Sequence, residues 1–163
     1  MRLYLMQHGA CLPKEVDPDQ PLSPVGREQL ESVGRALSRL GLWFDVICAS
    51  PKLRARQTAM LVARATDHDP ERIVVDEAFK ATAPADGAVA FLRDHREAES
   101  VFVAGHLPSL ANIASRLLTS GPEVAIAFEN AGLVRLDVES LGARKATLAW
   151  AVPRRLLRLA AGD

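Results

Sequence analysis

Short apolar runs alternate with longer amphipathic segments along most of this chain, and that order constrains the fold more than any other feature. Residues 3–6, 44–49, 73–75 and 101–104 are brief, apolar and rich in β-branched or aromatic side chains, so they read as strands. Between them lie helical patterns. Ser23-Pro24 pairs a capping hydroxyl with a proline suited to the first helical position. Leu30, Val33, Leu37 and Leu40 then recur at helical spacing up to Gly41. Ser50-Pro51 repeats the cap signal before a helix running to about Ala65, and residues 86–96 and 108–118 are also predicted helical. Residues 124–128, 133–138 and 146–152 read as three more strands, with turns near Asn130-Ala131-Gly132 and Gly142 and an antiparallel return at the first of them. Strands that alternate with helices pair in parallel and take helices on both faces. The expectation is an α/β three-layer sandwich with a mostly parallel central sheet.

At 163 residues the chain has the size of a single domain spanning 1–163. Hydrophobic residues at 48% and charged residues at 25% exclude disorder over most of its length. Twenty Lys and Arg balance twenty Asp and Glu, which argues against a dedicated nucleic-acid binder. Cys11 and Cys48 have neither CxxC spacing nor a metal-ligand cluster around them, so neither a disulfide framework nor a zinc site is expected. The first apolar run is too short for a signal peptide or a membrane span, so a cytoplasmic location is expected.

Three predicted strand-to-helix junctions carry the chemistry. They are Gln7-His8-Gly9, the stretch Ser50-Pro51-Lys52-Leu53-Arg54-Ala55-Arg56, and Gly105-His106-Leu107-Pro108. Ligands of open α/β sheets sit beyond the C-terminal ends of the strands, so three such junctions can meet at one edge. Two imidazoles, a guanidinium and two helix N-termini describe a phosphate site better than a metal site. His68, in a polar turn, is expected to be structural, and His95, at a helix end, to lie on the surface. Asp17 and Asp19 are expected to order the long polar loop at residues 13–21.

These residues resemble the histidine phosphatase superfamily. Its Arg-His-Gly hallmark reads Gln7-His8-Gly9 here. Pro21-Leu22-Ser23-Pro24-Val25-Gly26 is similar to the stretch that opens the family's first helix. Ser50 through Gln57-Thr58 is similar to its second element, and Gly105-His106-Leu107-Pro108 to its second-histidine motif. The resemblance runs from Met1 to about Trp150. In length and in the His-Leu-Pro element the chain is most similar to the small bacterial phosphohistidine phosphatases of the SixA type.

The resemblance implies a phosphoglycerate mutase-like fold and a covalent mechanism without metal or cofactor. His8 attacks phosphorus, Arg54 and His106 hold the non-bridging oxygens, and the backbone N–H of Leu107 and the amide of Gln7 add donors. Glu77 is the candidate proton donor, with Asp76 second. The implied partner is a phosphohistidine-bearing protein. The alternatives are a small phosphorylated molecule as substrate, or a non-catalytic phosphate- or phosphohistidine-binding module. The last follows from Gln7, which brings no charge where the family has an arginine, and charge-assisted hydrogen bonds are roughly twice as strong as neutral ones.

Overall fold

The structure is a computed structural model and describes residues 1–121, 123–142 and 145–162. In chain order the elements are β1 (Arg2–Gln7), α1 (Pro24–Arg39), β2 (Val46–Ala49), α2 (Leu53–Ala65), β3 (Val74–Val75), α3 (Ala85–Asp94), β4 (Ser100–Gly105), α4 (Ser109–Leu118), β5 (Leu133–Ser140), β6 (Lys145–Val152) and α5 (Arg154–Ala161). Short 3₁₀ turns at Pro70–Arg72 and Glu77–Phe79 flank β3.

The six strands form one sheet in the order β3-β2-β4-β1-β5-β6. The first four of these are mutually parallel, while β5 runs antiparallel to both β1 and β6. Strands β1 and β4 are apolar at every central position because both their faces are covered. Tyr4, Met6, Phe102 and Ala104 face a layer built from α1, α2 and α5. Leu3, Leu5, Val101 and Val103 face α3 and α4. This is the expected three-layer α/β sandwich around a mostly parallel sheet.

Three expectations need correction. Residues 124–128 form no strand: both sides of β1 are already paired, and Val124 N instead donates to Ser115 Oγ at 2.9 Å. Ile126 and Phe128 pack onto the cluster beneath α3 and α4. The antiparallel return is therefore the β5–β6 hairpin around Gly142, not the Asn130-Ala131-Gly132 turn. Helix α2 starts at Leu53 with Lys52 as its cap, because the Ser50 hydroxyl is turned inward to His106. Helix α5 carries a signal that the sequence reading passed over, a proline before Arg154 and a buried pair, Leu157 and Ala161, four residues apart.

The loop from β1 to α1 closes on itself through Leu12 N to Pro21 O at 2.9 Å and a bridge between Cys11 and Leu22. Asp17 orders it as expected, with Oδ1 accepting from Asp19 N at 2.9 Å. Ser23 caps α1 by accepting from Gly26 N at 3.0 Å, and Ser23 N donates to Ala10 O. The Ala10 carbonyl is thereby drawn onto the first turn of α1. A Cβ at Gly26 would lie 1.9 Å from that oxygen, so only glycine fits. We predict that Gly26→Ala destabilises the fold by at least about 2 kcal/mol, since backbone must move, as measured by urea unfolding at pH 7.5. A change under about 0.5 kcal/mol, the ordinary scatter of surface substitutions, would show that the contact relaxes freely.

Candidate active site

Pairing of β1 with β4 sets the site. Gln7 stands opposite Gly105, and His8 N donates to Gly105 O at 3.1 Å, so His8 and His106 leave adjacent strands side by side. The chain after β1 crosses to the α1 face and the chain after β4 to the α4 face. Adjacent strands whose connections diverge open a crevice at their C-terminal ends. The two imidazole rings meet there, with centroids 5.0 Å apart and planes inclined by 59°.

His8 Nδ1 lies 2.7 Å from Gly9 O. A carbonyl only accepts, so Nδ1 carries the proton and the Nε2 lone pair faces outward. Arg54 Nε donates to that lone pair at 3.0 Å, which requires the same tautomer. Burial and the Arg54 charge lower the His8 pKa, against the opposing pull of the Gly9 carbonyl. The site thus holds a neutral, half-buried imidazole whose Nε2 lone pair faces the crevice and accepts from Arg54.

His106 is buried, and its Nε2 lies 2.9 Å from Ser50 Oγ. Burial, followed by the charges of His8, Arg54 and Lys52, pushes its pKa down to about 3. Arg54 Nη1 also donates to Gln20 Oε1 at 3.3 Å. Gln20 holds a left-handed backbone, φ 49°, closed by Gln20 N to Asp17 O at 2.9 Å.

The structure therefore brings His8, Arg54 and His106 together. Gln7 sits half-buried at the end of β1, and its side-chain amide makes no hydrogen bond among the described residues. Leu107 is 38% exposed at the mouth of the crevice. Glu77 is exposed and ion-paired with Lys80. Asp76 caps the following turn through Oδ1 to Ala78 N at 2.8 Å. His68 and His95 bond to backbone carbonyls of Phe44 and Phe91, and His95 is half-buried, stacked on Phe91, rather than fully on the surface. No three His, Cys, Asp or Glu side chains gather as a metal site among the described residues.

Sequence reasoning missed four supporting residues. Asn130 Nδ2 donates to His8 O at 2.7 Å. Thr58 Oγ1 accepts from Gly9 N at 3.1 Å and donates to Arg54 O at 2.7 Å, tying the His8 turn to α2. Gln57 Oε1 accepts from Leu22 N at 2.7 Å and anchors the loop stem. Gln20 is the fourth. Gln57 and Thr58 close the second family-like element, which was their only signal; Gln20 and Asn130 sit in a loop and a turn without periodicity.

The family model for the histidine phosphatase superfamily (branch 1) matches residues 3–84. An uncharacterised protein of Picosynechococcus sp. is 31% identical over 83% of this chain and 84% of its own length. Mitochondrial serine/threonine-protein phosphatase Pgam5 of Drosophila ananassae is 34% identical over 44% of this chain, which spans only 25% of that longer protein. Among solved structures, the protein histidine phosphatase SixA complexed with tungstate superposes with a TM-score of 0.83 at 21% identity, covering 96% of this chain and 99% of SixA. An α-ribazole phosphatase from Shigella flexneri does so with a TM-score of 0.72 at 18% identity, covering 94% and 97%. The chain belongs to the histidine phosphatase superfamily and is by class a phosphatase.

The lowered histidine pKa values make a stability prediction. A histidine kept neutral by folding costs nothing above its unfolded pKa of about 6.5, but as pH falls below that value the unfolded chain gains protons that the folded site refuses. Stability therefore drops as pH falls from 6.5 towards the folded value. His106→Gln should lose less stability than wild type between pH 7.5 and pH 4.5 in urea unfolding. Equal losses would show that His106 takes up a proton in the folded protein.

Proposed function

We propose that this protein is a phosphohistidine phosphatase that works through a covalent intermediate on His8. The observation that carries the reading is the pairing of an outward Nε2 lone pair on His8 with a single guanidinium and a second neutral imidazole around it. His8 Nε2 attacks phosphorus in line, a P–N bond forms, and the bond from phosphorus to the substrate imidazole breaks. The departing imidazole takes a proton from water. A second water then attacks the phosphorus on His8, releasing inorganic phosphate and returning the imidazole to its neutral state. Entry of the phosphoryl group displaces Arg54 from His8, and the freed guanidinium turns to the non-bridging oxygens, where charge stabilisation matters most. His106, the Leu107 N–H and the Gln7 amide complete the cradle.

An imidazole leaving group needs little acid assistance. That suits a site where Glu77 is ion-paired with Lys80 on the surface. Glu77 remains the proton donor to consider for oxygen leaving groups. The comparison proteins include a protein histidine phosphatase and a phosphatase of a small molecule, so the fold accommodates both substrate kinds. A phosphohistidine-bearing signalling protein in the cytoplasm is the substrate we favour; among the described residues no helix is long and apolar enough to cross a membrane.

Quenching a labelled phosphohistidine protein with the enzyme under alkaline conditions should trap acid-labile phosphate on His8, and His8→Ala should abolish both trapping and turnover. Turnover that survives in His8→Ala excludes the covalent route.

Gln7 permits a second test. An arginine there exchanges a neutral bond for a charge-assisted one, a difference of about 0.5–2 kcal/mol. If that contact strengthens in the transition state, Gln7→Arg raises kcat/KM roughly 2- to 30-fold. A fall in kcat/KM would mean the pocket is built around the amide. A wild type that binds phosphate but turns over no phosphohistidine protein or phosphomonoester would favour the binding-module reading.

A further inference from the structure

We propose that Ser50 is a positioning residue that sets the tautomer of His106, so that the neutral imidazole presents an Nδ1–H donor to the phosphoryl oxygens. The inference rests on the reading above, in which those oxygens lie between His8 and His106. His106 Nε2 and Ser50 Oγ are 2.9 Å apart, and both residues are buried. A hydroxyl at that distance either donates to an Nε2 lone pair or accepts from an Nε2–H. The surroundings of Ser50 decide between the two. Its oxygen already accepts from Lys52 N at 3.4 Å, a group that can only donate. Among the described residues no acceptor other than His106 Nε2 lies within reach of the hydroxyl hydrogen. A buried hydroxyl without an acceptor is costly, so the hydrogen goes to Nε2, and the His106 proton is left on Nδ1.

The other ring nitrogen fits this assignment. Among the described residues His106 Nδ1 makes no hydrogen bond, yet it is not among the buried atoms left without a partner, so it opens to the crevice. A neutral imidazole has one N–H. With the alternative tautomer the Nδ1 lone pair would face anionic oxygens and repel them. The two histidines thus share the Nδ1–H form but present opposite edges. The Gly9 carbonyl fixes His8 with its lone pair outward, and the Ser50 hydroxyl fixes His106 with its N–H outward.

The test is the ring ¹⁵N spectrum of the labelled protein at pH 7.5 without ligand, combined with vanadate titration. In wild type the His106 Nδ1 resonance should be of the protonated type and Nε2 of the unprotonated type. Ser50→Ala should move population to the Nε2–H form and weaken vanadate binding about 3- to 30-fold, with backbone amide resonances outside the site unmoved. An Nε2–H form in wild type, or a Ser50→Ala variant with the tautomer or the vanadate affinity unchanged, overturns the proposal. Wild type that shows the expected tautomer but binds no vanadate would refute the phosphate-site reading instead, so the two failures are separable.

Discussion

The register between β1 and β4 is what the rest of the site depends on. Residues 8–99 and three α-helices separate these strands in the chain, yet Gln7 and Gly105 stand opposite one another with five further residue pairs behind them. Each strand buries both faces, so a slip of one residue would turn Tyr4 and Met6 into the layer shaped for Leu3 and Leu5. Core packing therefore fixes where the strands end, and where they end fixes the 5.0 Å between the two imidazoles. The hydrophobic core is in this sense the device that measures the site.

Electrostatics then divides labour among chemically similar groups. Both histidines are held neutral by burial and by neighbouring positive charge, which leaves Arg54 as the cation in contact with the nucleophile. A site with charged imidazoles would bind phosphate more strongly at rest but would have no lone pair to attack with. In the free protein the Arg54 N–H occupies the His8 lone pair. On the proposed mechanism, substrate binding exchanges that hydrogen bond for contacts to phosphoryl oxygens, so His8 is released as the phosphoryl group arrives.

Much of this was legible in the sequence, for identifiable reasons. Apolar runs and cap signals locate ten of the eleven described strands and α-helices, and the strand-end rule singles out His8, Arg54 and His106. The exceptions follow one principle. Residues 124–128 look like a strand by composition, but Val124 N bonds Ser115 Oγ while Ile126 and Phe128 pack beneath α3 and α4. Ser50 looks like a helix cap, but its hydroxyl is taken by a histidine 56 positions away. Gln20 and Asn130 act through single long-range hydrogen bonds, which leave no periodicity to read. Local propensity sees what a residue prefers among its neighbours in the chain, and these residues are committed to neighbours in space.

The supporting contacts also explain why the site can be precise although its residues lie on loop ends. His8 is held at its N–H by Gly105, at its carbonyl by Asn130 and at its ring by Gly9, while Thr58 holds the next N–H. Thr58 also donates to the Arg54 carbonyl, so the turn after His8 and the backbone of Arg54 hang from one hydroxyl. The long polar loop is fastened at its stem by Gln57 and reaches Arg54 through Gln20. Preorganised groups need not be reordered when charge moves in the transition state, and that avoided reorganisation is a large part of what enzymes supply. The hydrogen bonds behind the crevice thus hold His8 and Arg54 in place from several elements at once.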